Sequence, residues 1–342
     1  MLPIAPPIMP KGLGYWLRLA VLFCVAGVFL WLLLADHDLS LVADHLAIIP
    51  LTALLAALAC LAVGYSFRIV RWWLLLRALD PHLPLSRPVW PFLVSIALNN
   101  VLPFRAGDAV RIFGFRRQLA APASRIFGTV VVERLADLIF LAGVTALGLW
   151  VLGRSAGFEQ WALAVIAILV LGLLGLVVTV MVAPWLIRFF EARSDQEGLL
   201  GKVAVQAVTF LESLRVLRDW RLALLLIGTT ALSWLFEGGV FVAVAAGIGI
   251  AADSYAPWFS LGAGTLGTLI PSTPGHVGTF DFLASSAMQA FAVPSEQAIA
   301  FAFAVHAVLW LPLTLLGLGY FLFTGGRLAM SRGAKRGLEE RG

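Results

Sequence analysis

Two short stretches of the chain place ionisable residues inside apolar surroundings, where each must earn its position. The first is Asn99-Asn100-Val101-Leu102-Pro103-Phe104-Arg105-Ala106-Gly107-Asp108-Ala109-Val110-Arg111, and the second is Val132-Glu133-Arg134-Leu135-Ala136-Asp137-Leu138. In the first, Pro103 and Gly107 break the backbone pattern, Asp108 is placed to cap the limb that follows, and Arg105 falls at the tip with Arg111 beyond it. Two guanidiniums beside free backbone N–H groups at a helix start form a receptor for phosphate. The other reading is that Arg105 and Arg111 pair with Asp108 or Glu133 and hold the turn down. In the second stretch Glu133 and Asp137 share one helical face with like charge, and Arg134 neutralises Asp137 only in part. That face needs cations from elsewhere, and Arg105 and Arg111 are the nearest in sequence.

Further candidates are scattered along the chain. Glu237, followed by Gly238 and Gly239, lies about 23 Å along a helix from Leu222. It reads either as a site for a coupling proton or cation, or as a protonated residue bonded to a neighbouring helix. His306 is similar, a coupling group or a satisfied hydrogen-bonding residue. A second broken stretch, Pro271 to Asp281, supplies Ser272, Thr273, Gly275, His276, Gly278 and Thr279. Its glycines let backbone approach a ligand and its hydroxyls can donate to phosphate or glycan oxygens, unless they satisfy their own turn. Arg68, Arg71, Trp72 and Trp73 read as an interfacial anchor closing a helix. There is no H-E-x-x-H, G-x-S-x-G or P-loop, so a transporter is expected and not an enzyme, with no cofactor and no metal.

The elements that must position these residues are membrane helices. Of 342 residues 61% are hydrophobic and 13% charged, with a mean hydropathy of +0.95, more apolar surface than one soluble core can hide. The net charge of +5 belongs to cytoplasmic loops facing anionic lipid and not to nucleic acid. Cys24 and Cys60 sit in apolar runs and are expected to be plain buried residues. The fold class is an all-α polytopic membrane protein in a single integral domain, residues 1–342. Spans are expected at roughly 16–35 (an uncleaved first helix), 47–67, 126–152, 160–187, 222–250 and 298–323, at about 20 residues each. Pro88 to Arg117 and Pro257 to Val293 are broken at Leu102–Gly107 and Pro271–Thr279, with limbs of about 10 to 14 residues that enter and turn back.

Charge placement gives direction. Asp36, Asp38 and Asp44 mark an outer loop; Arg68, Arg71, Arg77, Arg87, Arg116, Arg117 and Arg125 put the first broken region on the cytoplasmic side. Leu222 to Gly326 contains no Lys or Arg, so the second enters from outside. The halves, about 16–152 and 160–323, form an inverted repeat of six spans and two re-entrant hairpins, the plan of secondary transporters. The tips align as 102–107 against 270–275. Both termini face the cytoplasm, with an amphipathic linker at 188–221 lying on the inner leaflet and a basic tail at 324–342.

The residues Arg71-Trp72-Trp73, Asn100 to Asp108 with Arg111, Glu133-Arg134 with Asp137, and the tip from Pro271 to Phe280 resemble the flippase-like family of the lysylphosphatidylglycerol synthase transmembrane region. The resemblance implies an inner-membrane protein that moves a lipid between leaflets, with Arg105, Asp108, Arg111, Glu133, Arg134 and Asp137 as its polar centre. The chain departs from that family's pattern at His276 in place of a glycine, Asp281 in place of a glutamate, and His306 in place of an arginine. Too few residues follow Arg327 for the synthases' soluble transferase domain, so lipid synthesis by this chain is not expected. The expected partner is a membrane lipid with an anionic or phosphate-bearing headgroup; a homo-oligomer is left open, as is a proton- or ion-coupled carrier of a small solute, or an accessory subunit of a lipid-modifying enzyme.

Overall fold

The computed structural model describes residues 13–78, 80–116, 118–156, 159–194, 199–215, 218–250, 255–270 and 273–339; Pro271 and Ser272 lie outside them. The described chain is all helix: α1 (Leu13–Leu34), α2 (Leu39–Ala47), α3 (Leu51–Arg77), α4 (Ser86–Val101), α5 (Ala106–Ala109), α6 (Ala123–Ala156), α7 (Glu159–Ser194), α8 (Leu199–Arg215), α9 (Trp220–Gly247), α10 (Ala256–Gly267), α11 (Thr279–Gln289) and α12 (Ser295–Glu339). By length and hydropathy α3, α9 and Ser295–Thr324 of α12 can each cross a membrane, and α1 with α2, bent by 86°, make a fourth candidate. α6 is 34 residues long and carries Glu133, Arg134 and Asp137. This is a multi-pass membrane protein.

Local chemistry sets the boundaries. Asp38 accepts from the Ser40 backbone N–H at 2.8 Å and from the Ser40 hydroxyl at 2.6 Å, and starts α2. Asp219 opens α9 in the same way, accepting from the Arg221 N–H at 2.9 Å. α3 runs to Arg77, ten residues beyond the expected end at 67, because the charged residues past that point continue its buried stripe. Ala57, Leu61, Gly64, Arg68, Arg71, Trp72 and Leu75 are all buried, at the three and four residue spacing of one helical face. Arg68 and Arg71 are therefore interior residues and not an interfacial anchor, and only Arg77 and Arg87 remain as cations flanking the first broken region on that side.

α3 and α9 form the spine. A Cβ at Gly64 would sit 3.1 Å from the Ser233 carbonyl oxygen, so the small residue lets two backbones approach closely. α12 packs against α4, α11, α2, α9 and α3, and α10 packs against α11 and α6. The linker helix α8 buries Ala204 and Leu211, and Leu211 packs with Ala183, Ile187 and Leu226 of the bundle. Cys24, expected to be buried, is exposed: an apolar run in a membrane helix also covers the outward face.

Both broken regions are pairs of limbs. Pro91 inside α4 cannot bond the carbonyl four residues back, that of Arg87, and Gln118 Nε2 donates to that oxygen at 3.0 Å. The chain that leaves at Arg87 thus returns to it at Gln118. In the second region Ser260 Oγ donates to the Ala284 carbonyl at 2.9 Å, Gly267 abuts Thr279 and Leu283, and the rings of Phe259 and Phe291 lie 5.8 Å apart. α10 and α11 therefore run antiparallel.

Candidate functional site

An interior ion network joins α3, α6 and α9 with the limb after the first break. Arg111 Nη2 lies 2.6 Å from Glu133 Oε2. Arg71 donates to both oxygens of Asp137, at 2.6 and 3.1 Å, and to Thr230 Oγ1 at 3.0 Å, and stands 3.5 Å from Glu133. Arg68 donates to Glu237 at 2.6 Å and stands 3.6 Å from Asp137; the Trp234 indole N–H also donates to Asp137, at 3.0 Å. Arg134 pairs with Asp108 at 3.3 Å and with Asp137 at 4.0 Å. Aromatic faces take up the rest of the guanidinium surface: Arg111 lies 3.6 Å from the Trp72 ring centre and 4.7 Å from that of Phe92, and Arg68 lies 4.2 Å over Trp234. Buried charges survive on such terms, paired and hydrogen bonded.

Among the described residues four of the five guanidiniums here, Arg68, Arg71, Arg111 and Arg134, pair with Asp108, Glu133, Asp137 and Glu237. Arg105 is the one left over. It is half-buried, makes no ion pair among the described residues, and reaches only the carbonyl and hydroxyl of Thr268, both at 3.4 Å, too long for strong bonds.

The two tips adopt the same turn. Pro103-Phe104-Arg105 and Pro274-Gly275-His276 are single 3-10 turns with proline first, and the two residues after each proline have positive φ: 60° and 51° for Phe104 and Arg105, 75° and 59° for Gly275 and His276. Left-handed backbone at three non-glycine residues costs roughly 1–2 kcal/mol each and persists only where surroundings fix it. In conformation the two turns match Pro103 with Pro274 and Arg105 with His276. Arg105 is itself the residue before α5, and no side chain caps that helix. Asp108, expected as the cap, instead accepts from Asn99 Nδ2 at 3.0 Å while its N–H donates to Asn99 Oδ1 at 3.1 Å, fastening the limb to α4.

The tips meet. A Cβ on Gly275 would lie 3.3 Å from the Asn100 carbonyl oxygen, and the Trp310 indole N–H reaches that same oxygen at 3.4 Å. Asn100 Nδ2 donates to Thr314 Oγ1 at 2.8 Å. Between them is a pocket of about 130 Å³ lined by Tyr65, Asn100, Thr268, Gly275, His276 and His306 among others, with Glu237 also in its wall. A larger, apolar cleft of about 690 Å³ lies between Phe113, Phe127 and the linker helix at Phe210; it holds none of the ionisable residues above.

Of the residues picked from sequence, Asn100, Gly275, His276, Glu237 and His306 line the pocket and Arg105 reaches it through Thr268. Arg111, Glu133, Arg134 and Asp137 lie in the adjoining network. Glu237, which the sequence leaves without a cationic partner, has one in Arg68. Thr273 and Thr279 turn their hydroxyls to backbone carbonyls, those of Val277 and His276, each at 3.2 Å, and Gly278 gives its N–H to Asp281 Oδ2 at 2.9 Å. Ser272 is outside the described residues. Sequence reasoning missed Thr268, Tyr65 and Trp310. Thr268 alone carried a signal, as a hydroxyl at the end of an apolar limb.

The chain was compared with known proteins. Glycosyltransferase AglD of Haloferax volcanii is 28% identical over 292 residues, covering 75% of this chain and 46% of that protein, so the chain spans about half the length of the curated relative it matches. The family described as the lysylphosphatidylglycerol synthase TM region matches residues 15–317. With nearly the whole chain matched, this protein belongs to the lysylphosphatidylglycerol synthase transmembrane-region family.

Proposed function

We propose that this chain is a flippase: it moves a lipid with an anionic, phosphate-bearing headgroup between the leaflets of the cytoplasmic membrane, without catalysing a covalent step. The observation that carries the reading is Arg105, a guanidinium that makes no ion pair among the described residues and reaches Thr268, in the wall of the small pocket beside the second tip. A headgroup phosphate supplies the missing anion and takes the guanidinium and the Thr268 hydroxyl as donors. Arg111, Arg134 and Arg71 are already committed to carboxylates and set the shape of the site. The family description names lysylphosphatidylglycerol, a phosphate-bearing lipid, which favours a lipid over a soluble solute.

The architecture that goes with this reading is two re-entrant hairpins within an inverted repeat, both termini cytoplasmic, tips near the midplane. The return of the chain from Gln118 to Arg87, the antiparallel limbs α10 and α11 and the shared turn of the two tips support it. So does the absence of Lys and Arg from Leu222 to Gly326.

The test is translocation of acyl-labelled phosphatidylglycerol in proteoliposomes, read by chemical quenching of the outer leaflet. Wild type moves the anionic lipid faster than phosphatidylcholine. Arg105→Ala, with folding checked by thermal melting, slows it about tenfold or more, the loss of one charged hydrogen-bond donor. Unchanged movement in a folded Arg105→Ala protein would remove Arg105 from the site, and solute uptake without lipid movement would replace the flippase reading.

A further inference from the structure

His306 on α12 is caught between two acceptors. Its Nε2 lies 2.9 Å from the Gly275 carbonyl oxygen and its Nδ1 lies 2.7 Å from Asp281 Oδ1. A peptide carbonyl only accepts, so Nε2 carries a hydrogen. A neutral imidazole has one ring hydrogen. With that hydrogen on Nε2, Nδ1 would point a lone pair at an ionised carboxylate oxygen. A contact of 2.7 Å between two acceptors needs a proton between them. The second oxygen of Asp281 takes the Gly278 N–H at 2.9 Å, and the Asp281 side chain is 2% exposed, so no water network substitutes for that proton. His306 is more open, at 16%, and faces the pocket.

We propose that His306 and Asp281 form a proton-binding site in the wall of the pocket, and that binding and release of this proton drive the movement of the headgroup. The site stands on its own geometry; its coupling to transport rests on the flippase reading above. The mechanical link is short. Gly275, which His306 holds, belongs to the second tip and abuts Asn100 of the first. Gly278, which Asp281 holds, ends the same turn. With the proton present, α12, α11 and the tip are clasped. With it gone, lone pair faces carboxylate, the clasp repels, and the seam between the tips loosens beside Arg105.

The charged and titratable surroundings are these. The tip brings His276, α3 brings Tyr65, and α9 brings Glu237, all in the pocket wall, with Glu237 held by Arg68 and Arg105 standing at Thr268. Of the other helices packed on α12, α2 carries Asp44 and His45 and α4 carries Arg87. None of these is among the hydrogen-bond partners of His306.

The experiment uses the full chain in lipid nanodiscs with nitrogen-labelled histidine, His306 being assigned against His306→Gln. Near neutral pH the wild type shows a strongly deshielded proton between Nδ1 and Oδ1. Asp281→Asn loses it yet stays folded, because the amide donates to Nδ1 and its oxygen still accepts from Gly278. An Nδ1 nitrogen shift typical of a free lone pair in the wild type would overturn the site. In proteoliposomes, one proton moved per headgroup makes a gradient of about one pH unit shift the steady-state distribution of labelled phosphatidylglycerol about tenfold, and Asp281→Asn abolishes that response. Lipid movement in the wild type that ignores the gradient overturns the coupling. If no anionic lipid moves under any gradient, the flippase reading falls, and the resonance still decides the proton site.

Discussion

Glu237 and Arg68 set the terms for every buried charge in this protein. Each is almost wholly enclosed, and each is tolerable only because the other lies 2.6 Å away. Arg68→Ala leaves a carboxylate stranded, which costs about 3–5 kcal/mol, so a marked fall in thermal midpoint in detergent is expected. Arg68→Met combined with Glu237→Leu removes both charges and restores most of that loss. A double variant no more stable than Arg68→Ala would show that the pair does not act as a unit. The sequence carried half of this. Glu133, Arg134, Asp137 and Arg111 announced themselves by lying in apolar surroundings, but the sequence left open whether Arg105 and Arg111 receive a phosphate or pair with Asp108 or Glu133; the structure pairs Arg111 with Glu133. Arg68 and Arg71 were misplaced because arginines beside tryptophans at the end of an apolar run are what an interfacial anchor looks like. The periodicity from Ala57 through Leu61 and Gly64 ran on through both arginines and was the better guide.

At the scale of elements, the breaks were legible and their conformation was not. Proline, glycine and polar residues in the middle of apolar runs located both turns to within a few residues. The conformation of the first turn depended on φ values that residue type does not reveal, since Phe104 and Arg105 are not residues that favour a left-handed backbone. What fixes the first turn is the clamp of its following limb on α4: Asn99 binds Asp108 twice, and at Gly107 the two backbones touch. A Cβ there would collide with the Ser95 carbonyl and with Asn99, backbone that cannot move cheaply. Gly107→Ala is therefore expected to disrupt the limb, with loss of folded protein on size-exclusion chromatography. A Gly107→Ala protein with wild-type melting would mean that α4 and α5 are not tightly apposed.

For the whole molecule, the ion network decides which parts can move. Arg68 and Arg71 of α3 reach Glu237 and Thr230 of α9 and Asp137 of α6. Pulling these helices apart breaks several buried pairs, each at about 3–5 kcal/mol, well above the few kcal/mol that separate populated conformations. Cysteines replacing Phe67 and Phe236, whose rings stack 5.9 Å apart across α3 and α9, are expected to leave the proposed transport intact when cross-linked. Cysteines replacing Asn100 and His276 should block it. Arrest by the first pair would mean that the helices separate. Under the proposed flippase reading the same network bears on the style of motion: α3, α6 and α9 would act as a keel that does not rock, and access would alternate by displacement of the short limbs alone. A carrier built this way exposes its cargo by shifting two small gates against a fixed hull, so the lipid tails need never cross a moving interface.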